Sequence, residues 1–443
     1  MSKKFFLPDQ YYKAVNVHGP NIFNIVTTLD DDDTVRFNID SNVNNRTIVY
    51  EIENATTGDF SISNTGTIAL DSNGNATLVA NLNIYNNAAE GDKTVRLKLK
   101  TKDGGPEVAY SANININLTA GPNITSNSNV YSTIELTDRI IHKWVGSNTD
   151  TATRQIYFTV NDVGYANNTI QILQVAPGGG AINQTGWSTN IATRQRAAGG
   201  AGAGEHANYT VEAWQFDSAY YDPGSYTNIY EFGLTPSGKG QSAANPDYTI
   251  TPTSGTDLSI IRVGTTSGIY TRPFNTSSGT QDYVNYVRPG FTTYYNPKGG
   301  GHGGTYKDGV SVTSGKGGGA AGNGSRGTAT PLGYLGGLGS LGGFDGTYYD
   351  IVGGGGGGSA SGNGENANST IPVEGDGAAP TTITFISNVS TTTQTICGGS
   401  DGVSYRQTSP TSNGDKPGGG GHRYGGPAAL YINVPRSFRK LTL

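Results

Sequence analysis

The distribution of glycine constrains this chain more than any other feature of its sequence. Of the 67 glycines, ten lie at or before Gly164 and the other 57 lie beyond Val175. Glycine has no Cβ and loses the most conformational freedom on ordering, so a glycine run is either a flexible linker or a backbone that packs closely on other backbone. The two parts of the chain must therefore fold by different rules.

Long glycine runs follow one another in the last third of the sequence. Such a chain can adopt the left-handed three-fold helix, which has no internal hydrogen bonds, so neighbouring rods or water must satisfy its N–H and C=O groups. Apolar and aromatic residues alternate with the runs, whereas disordered tracts are poor in them. We therefore predict ordered rods joined by loops, with a flexible linker as the alternative. The runs lie at 299–304, 315–327, 336–343, 351–364 and 418–426.

Short bursts of alternating apolar and polar residues fill the region between residues 34 and 118. Val35, Phe37 and Ile39 form one such burst. A period of two indicates half-buried strands, and turn signals such as DSNGN and KDGG separate the bursts as in a β-sandwich. We predict an immunoglobulin-like β-sandwich without a disulfide at 32–120. The N-terminal arm at 1–31 either docks on a neighbouring subunit or contains an ordinary first strand.

Strand-like segments also continue beyond this first domain. They include TIQILQV, which runs directly into APGGG, then TVEAWQF, DLSIIRV, TTITFI and, after the last run, AALYINV. No segment has the period of an amphipathic helix, and Gly, Pro, Asn and Thr are frequent throughout. The fold class is therefore predicted to be all-β, with a β-rich scaffold domain at 121–296 and a glycine-rich distal domain with polyglycine II-like excursions at 297–443.

Composition and charge exclude several functional classes. The net charge of -5 predicts no nucleic-acid partner, because such partners require basic patches. Cys397 is the only cysteine, which rules out an internal disulfide and a cysteine-rich zinc site. The opening MSKKFFLPDQYYK has too short an apolar stretch for a signal peptide. The sequence contains no run of about 20 apolar residues, so membrane insertion is not expected. We expect a chain made soluble in a cytoplasm.

Three glycine-containing motifs imitate catalytic sites but lack the required context. GNGSRG at 322–327 fits a dinucleotide fingerprint without the flanking strand and helix. GLTPSGKG at 233–240 approaches a phosphate-binding loop but has Gly240 where Ser or Thr is needed. GGSDG at 398–402 fits a nucleophile elbow around Ser400, but a polar segment precedes it and no helix follows. We predict no enzyme and no cofactor; a polysaccharide depolymerase is the enzymatic alternative.

Metal binding is also not expected from the sequence. The four aspartates at 30–33 are interpreted as a solvated charge run, with a calcium site as the alternative. His302 and His422 lie in similar sequences, KGGGHGG and KPGGGGHRYGG. We interpret both histidines as capping a rod or facing solvent, with a metal site on a trimer axis as the alternative.

A family resemblance is carried by the strand TIQILQVAPGGG, the long glycine excursions and the closing GGPAALYINV. From 169 to 443 the chain resembles the glycine-rich domains of bacteriophage tail-fibre and adhesin proteins, and its stacked runs are similar to the fibre-tip adhesins of T-even-like tailed phages. There such helices form a sandwich whose loops touch the host.

The resemblance implies a virion structural protein of a tail fibre or related appendage that mediates host-cell attachment. It would assemble in the host cytoplasm and have as partners other virion proteins and a host receptor, either protein or glycan. A homotrimer and a single copy both remain open. The alternative is a purely architectural virion protein, such as a head fibre, a capsid decoration, or a neck or baseplate component.

Exposed aromatic side chains at loop tips are the usual means of recognition without catalysis, because tyrosine supplies rigid area at low entropic cost. The chain has 26 tyrosines. Our candidates for receptor binding lie between or beside the glycine runs. They are Tyr306, Tyr334, Tyr348, Tyr349, His422, Arg423 and Tyr424.

Overall fold

The structure is a computed structural model. It describes residues 23–86, 90–100, 107–161, 169–183, 196–216, 226–239, 241–242, 254–257, 262–265, 297–307, 310–312, 314–315, 317–318, 340–341, 352–353, 357–359, 361–367, 375–402, 414–422 and 424–443. These residues form an all-β fold, as predicted. A short 3-10 helix occupies Ala213–Phe216, within the segment TVEAWQF that was predicted to be a strand throughout.

The chain divides into two compact units. Unit 1 comprises Met1–Gly121 and Arg436–Leu443, and unit 2 comprises Pro122–Pro435. The first boundary lies beside the predicted one at 120. Unit 2 includes described residues on both sides of position 296, the predicted start of the distal domain, and the last eight residues belong to unit 1.

Most strands of unit 1 alternate between buried and more exposed residues along their length. They are β1 (Phe23–Leu29), β2 (Thr34–Ser41), β3 (Thr47–Glu53), β4 (Thr65–Ala69), β5 (Asn75–Asn81), β6 (Lys93–Lys100), β7 (Glu107–Tyr110), β8 (Ile114–Thr119) and β27 (Phe438–Thr442).

The strands of unit 2 vary from two to nine residues. They are β9 (Asn123–Thr125), β10 (Tyr131–Glu135), β11 (Arg139–Val145), β12 (Arg154–Asn161), β13 (Thr169–Val175), β14 (Ile182–Asn183), β15 (Arg196–Ala198), β16 (His206–Glu212), β17 (Tyr226–Leu234), β18 (Gln241–Ser242), β19 (Arg262–Thr265), β20 (Thr305–Lys307), β21 (Val310–Val312), β22 (Ser340–Leu341), β23 (Val352–Gly353), β24 (Thr381–Phe385), β25 (Thr392–Ile396) and β26 (Ala429–Pro435).

Two antiparallel sheets build unit 1. One has the order β1-β2-β5, and the other has the order β27-β8-β6-β3-β4 with β7 also paired to β6. Alternate side chains of both sheets, such as Phe37 from β2 and Leu97 from β6, meet in one buried core. The immunoglobulin-like identity of this unit stays a prediction. Residues 23–29 of the predicted arm form an ordinary first strand, since β1 pairs with β2 from Phe23↔Ser41 to Leu29↔Val35; residues 1–22 lie outside the described residues.

Unit 2 is built around a five-stranded sheet of order β10-β11-β26-β13-β16 and a four-stranded sheet of order β19-β17-β12-β9. Trp144, Phe158 and Ile432 belong to one core formed by both sheets. β26, which follows the last glycine run, lies between β11 and β13. The glycine-rich region and the predicted scaffold domain therefore share a central strand and fold as one unit.

A second core covers the opposite face of the five-stranded sheet. There the hairpin β24–β25 places Phe385 and Ile396 against Leu173 and Tyr431. β26 is consequently buried on both faces, which explains why AALYINV is apolar at every position except Asn433 and does not alternate.

Candidate functional site

Short glycine- and alanine-rich segments lie side by side in unit 2, most of them without strand or helix pairing. We call each of them a rod and the whole assembly the glycine block. The rods are 176–181, 199–204, 235–238, 254–257, 298–304, 357–359, 361–367, 375–380, 397–402, 418–421 and 425–427.

The rod 176–181 is the clearest example of how the block is connected. Its backbone groups make hydrogen bonds to five other rods, in several directions, rather than to one another. Such bonding is expected of a three-fold glycine helix, whose N–H and C=O groups point outward. The bonds run from Gly178 N–H to Gly426 O (3.0 Å), Gly179 N–H to Gly202 O (3.0 Å), Ala181 N–H to Gly421 O (2.9 Å), Gly238 N–H to Gly178 O (2.8 Å) and Gly300 N–H to Pro177 O (2.9 Å).

Glycine is required at the centre of the block because the rods approach too closely for a side chain. A Cβ on Gly179 would lie 2.1 Å from the carbonyl oxygen of Gly301, and one on Gly178 would lie 1.9 Å from that of Gly419. Neither distance is possible between non-bonded atoms. At Gly362, in contrast, a Cβ would meet nothing within 4 Å.

Burial in the outer rods repeats every three residues. Within 361–367 only Gly364 and Ala367 are buried, and within 375–380 only Gly375 and Ala378 are buried. Three residues is the repeat of the extended glycine helix, so each outer rod turns one face inward. The rods 176–181 and 199–204 are buried at every position. These two fully buried rods consist of Ala, Pro and Gly, whereas the outer rods also contain polar residues.

The structure also places the residues predicted to bind a receptor. His422 is only 6 % exposed, so it offers little surface to a partner. Tyr424 is half-buried and its backbone forms a bridge with Lys239. Tyr306 lies in β20. The remaining candidates, Tyr334, Tyr348, Tyr349 and Arg423, lie outside the described residues.

Ser400 and Cys397 carry reactive side chains, but both are buried inside the block. Ser400 is fully buried, and its Oγ accepts a hydrogen bond from Ala201 N–H at 2.7 Å. Burial raises the pKa of the Cys397 thiol, which leaves it protonated. Among the described residues no group of three metal-ligating side chains occurs, and His302 Nδ1 lies 3.1 Å from the carbonyl oxygen of Gly303.

A surface that the sequence did not single out lies at the turn of the β24–β25 hairpin. We call residues 386–391 the tip loop. Val389 is 59 % exposed and Ile386 is 37 % exposed. Among the described residues of unit 2, these are the large apolar side chains that face solvent. The sequence identified TTITFI only as a strand-like segment, because nothing in its pattern showed which end would protrude.

The carboxylate of Asp138 makes two hydrogen bonds to the tip loop. It accepts hydrogen bonds from Ser387 Oγ–H at 2.6 Å and from Asn388 N–H at 2.7 Å. Burial by itself raises the pKa of Asp138, but these hydrogen bonds outweigh burial and the pKa is lowered. The Asp138 side chain is therefore a charged anchor at neutral pH.

A layer of buried amide side chains fixes the start of the tip loop. Ile386 donates its N–H to Gln171 Oε1 at 2.8 Å, and its carbonyl accepts from Asn433 Nδ2 at 2.8 Å. Arg139 Nε in turn donates to Asn433 Oδ1 at 2.9 Å. Two exposed apolar side chains are thus displayed on a backbone whose conformation is set in advance, which reduces the entropic cost of binding.

The hairpin that displays the tip loop carries no charge. Residues 381–396, TTITFISNVSTTTQTI, contain no acidic or basic side chain, and Thr382, Thr384 and Thr393 are exposed. This surface can offer methyl groups, hydroxyls and amides to a partner, but not ion pairs.

Comparison with family models, curated proteins and solved structures returns no match to this chain. Within the described ranges, no helix has the length and hydrophobicity needed to cross a membrane.

Proposed function

We propose that this chain is a structural protein of a tailed-phage virion, a component of a tail fibre or related appendage that attaches the particle to its host cell. The observation that carries the proposal is the mutual hydrogen bonding of the rods in the glycine block. A block of this kind is a stiff support whose outer rods and connecting loops can display side chains.

Attachment is favoured over a purely architectural role by the tip loop. Exposing Ile386 and Val389 does not help the chain to fold, yet Asp138, Gln171 and Asn433 hold the loop that displays them. Exposed apolar groups on an ordered backbone are typical of a binding surface. The partner would be a host surface protein or glycan, and other virion proteins would hold the chain on the particle.

The proposal is tested by competition for adsorption. Purified full-length chain, added to host cells before the phage, is expected to reduce adsorption in proportion to its concentration. The variant Val389→Asp puts a charge on the tip loop and is expected to weaken this competition at least tenfold. Val26→Asp is the matched control, because Val26 is similarly exposed, at 51 %, but lies in β1 of unit 1.

The outcomes separate the proposal from its alternative. Competition by the native chain that Val389→Asp weakens and Val26→Asp does not would support attachment through the tip loop. Equal competition by all three chains would keep attachment and remove the tip loop. No competition, together with antibody labelling of the capsid shell in electron micrographs, would contradict attachment and favour the architectural role.

A further inference from the structure

Residues 436–443 complete unit 1 after the whole of unit 2 has intervened. They form β27, which pairs with β8 at the edge of the larger sheet, with Phe438 opposite Thr119 and Leu441 opposite Ile116. Unit 2 is therefore an insertion in the chain between two neighbouring strands of unit 1.

The contacts of β27 reach the interior of unit 1. Arg439 is fully buried, and its Nη1 lies 2.8 Å from Oδ1 of Asp59, which is also fully buried. Lys93 Nζ lies 2.7 Å from the other oxygen of the same carboxylate. Without Arg439 the buried Asp59 carboxylate would keep Lys93 but lose its second cation, and removing a partner from a buried ionic group is unfavourable.

Backbone and apolar contacts add to this ion pair. Arg439 N–H donates to Ile84 O at 2.8 Å, and Leu441 N–H donates to Asp32 O at 2.7 Å. The Leu441 side chain belongs to the core shared by both sheets of unit 1. Without β27, β8 would have an unpaired edge, part of the unit 1 core would be exposed to solvent, and the Asp59 carboxylate would lose its contact with Arg439.

The two chain crossings between the units lie side by side. Gly121 N–H donates to Ser437 Oγ at 3.1 Å, close to the Thr119–Phe438 pair. When unit 2 is folded, it delivers β27 to this place. When unit 2 is unfolded, β27 can dock only by closing a loop of about 300 residues, which disfavours docking by a factor on the order of 10³.

We propose that the edge of β8 and the Asp59 carboxylate form a strand-acceptor site, that residues 436–443 of the same chain are its occupant, and that folding of unit 2 loads it. In chains whose glycine block has formed, β27 is paired with β8 and unit 1 is complete. In chains whose block has not formed, unit 1 lacks β27. This coupling does not depend on what the tip loop binds.

A reversible crosslink tests the proposal on the full-length chain. Asn117 and Lys440 face each other across β8 and β27, so Asn117→Cys with Lys440→Cys can form a disulfide between the strands. The same protein under reducing conditions is the control. Cys397 is buried only while unit 2 is folded, so peptide mapping must show that the disulfide joins the two introduced cysteines. Each redox form is made with the native block and with Gly179→Val, which disrupts the block. The readout is amide hydrogen exchange of Leu97 in β6 and Ile116 in β8.

With the native block, oxidation should leave exchange at Leu97 and Ile116 nearly unchanged, because folded unit 2 already holds the strands together. With Gly179→Val, the reduced chain should exchange faster by roughly 10²- to 10³-fold, and oxidation should restore slow exchange. The proposal is overturned if unit 1 stays protected in the reduced Gly179→Val chain, or if oxidation restores nothing.

If the Gly179→Val chain is insoluble, urea unfolding provides a second test. It uses the chain with Asn117→Cys and Lys440→Cys and the native block, in its reduced and oxidised forms. All three tryptophans, Trp144, Trp187 and Trp214, lie in the sequence of unit 2, so their fluorescence reports on that unit. In the reduced form, unit 1 protection should vanish at the urea concentration at which the fluorescence changes. In the oxidised form it should persist beyond that concentration. Loss of protection at the same urea concentration in both forms contradicts the proposal.

Discussion

The core of unit 1 and the glycine block fill space in opposite ways. In unit 1, strands make hydrogen bonds within each sheet, and side chains such as Phe37 and Leu97 fill the gap between the sheets. In the block, rods make hydrogen bonds to neighbours in several directions, so backbone meets backbone and no gap remains for side chains. The two regions should therefore be sensitive to opposite changes in side-chain size: removing atoms destabilises unit 1, whereas adding atoms destabilises the block.

The largest effect is expected from Gly179→Val. The first added carbon alone would lie 2.1 Å from the carbonyl oxygen of Gly301 in a neighbouring rod. Overpacking usually costs about 1–3 kcal/mol and occasionally more, and here rigid backbone on several sides must move, so we expect the upper end of this range or loss of the block. Urea unfolding followed by tryptophan fluorescence measures it. A midpoint like that of the native chain would contradict the close packing.

Leu97→Ala makes the reverse test in unit 1. Leu97 is fully buried, and truncating such a side chain costs about 2–5 kcal/mol through lost burial and the cavity left behind. Faster amide exchange in β6 and β8 is the expected result. An unchanged exchange rate would show that side-chain packing does not hold this unit together.

Acid should weaken unit 2 through His142. Burial lowers the pKa of His142 from its usual 6.5 to about 4, and its Nδ1 lies 2.7 Å from the Tyr131 hydroxyl oxygen. The folded state binds the proton less readily than the unfolded state. The free energy of unfolding of unit 2 should therefore be unaffected by His142 above about pH 6.5 and should fall by up to about 3 kcal/mol as the pH is lowered towards 4. His142→Gln should flatten this part of the profile. The comparison of tryptophan-monitored unfolding at pH 7 and pH 4.5 checks it; equal losses in both chains would contradict the assignment.

The smallest effect is expected from Gly362→Ala, the matched control for Gly179→Val. Gly362 lies in an outer rod where a Cβ meets nothing within 4 Å. Replacing such a glycine removes freedom from the unfolded chain and should stabilise unit 2 by about 0.4–1 kcal/mol. Destabilisation by more than this amount would mean that even the outer rods exclude side chains.

Much of the β-structure could be predicted because alternation is a local property. The bursts at Val35, Ile48 and Val95 became β2, β3 and β6, and TIQILQV became β13. Pairing between distant segments leaves no such trace. The return of β27 to β8 joins residues more than 300 positions apart, and FRKLT by itself gives no indication of where it pairs.

The glycine block was predictable in kind but not in membership. The run 418–426 contributes rods, as expected, but the central rod 199–204 reads GGAGAG and was not among the predicted runs. Alanine fits there because only certain positions face a neighbouring backbone, and that depends on the other rods. The tip loop was missed for a similar reason, since its anchors Asp138, Gln171 and Asn433 are far apart in sequence.

The most direct test of the account is amide hydrogen exchange at the glycines of the block in the native full-length chain. If rods are held by each other, the N–H groups of Gly179, Gly202 and Gly300, which donate to other rods, should be protected to the same degree as those of β26. Exchange at these glycines as fast as in an unfolded chain, while β26 stays protected, would show that the rods do not pack and would contradict the account.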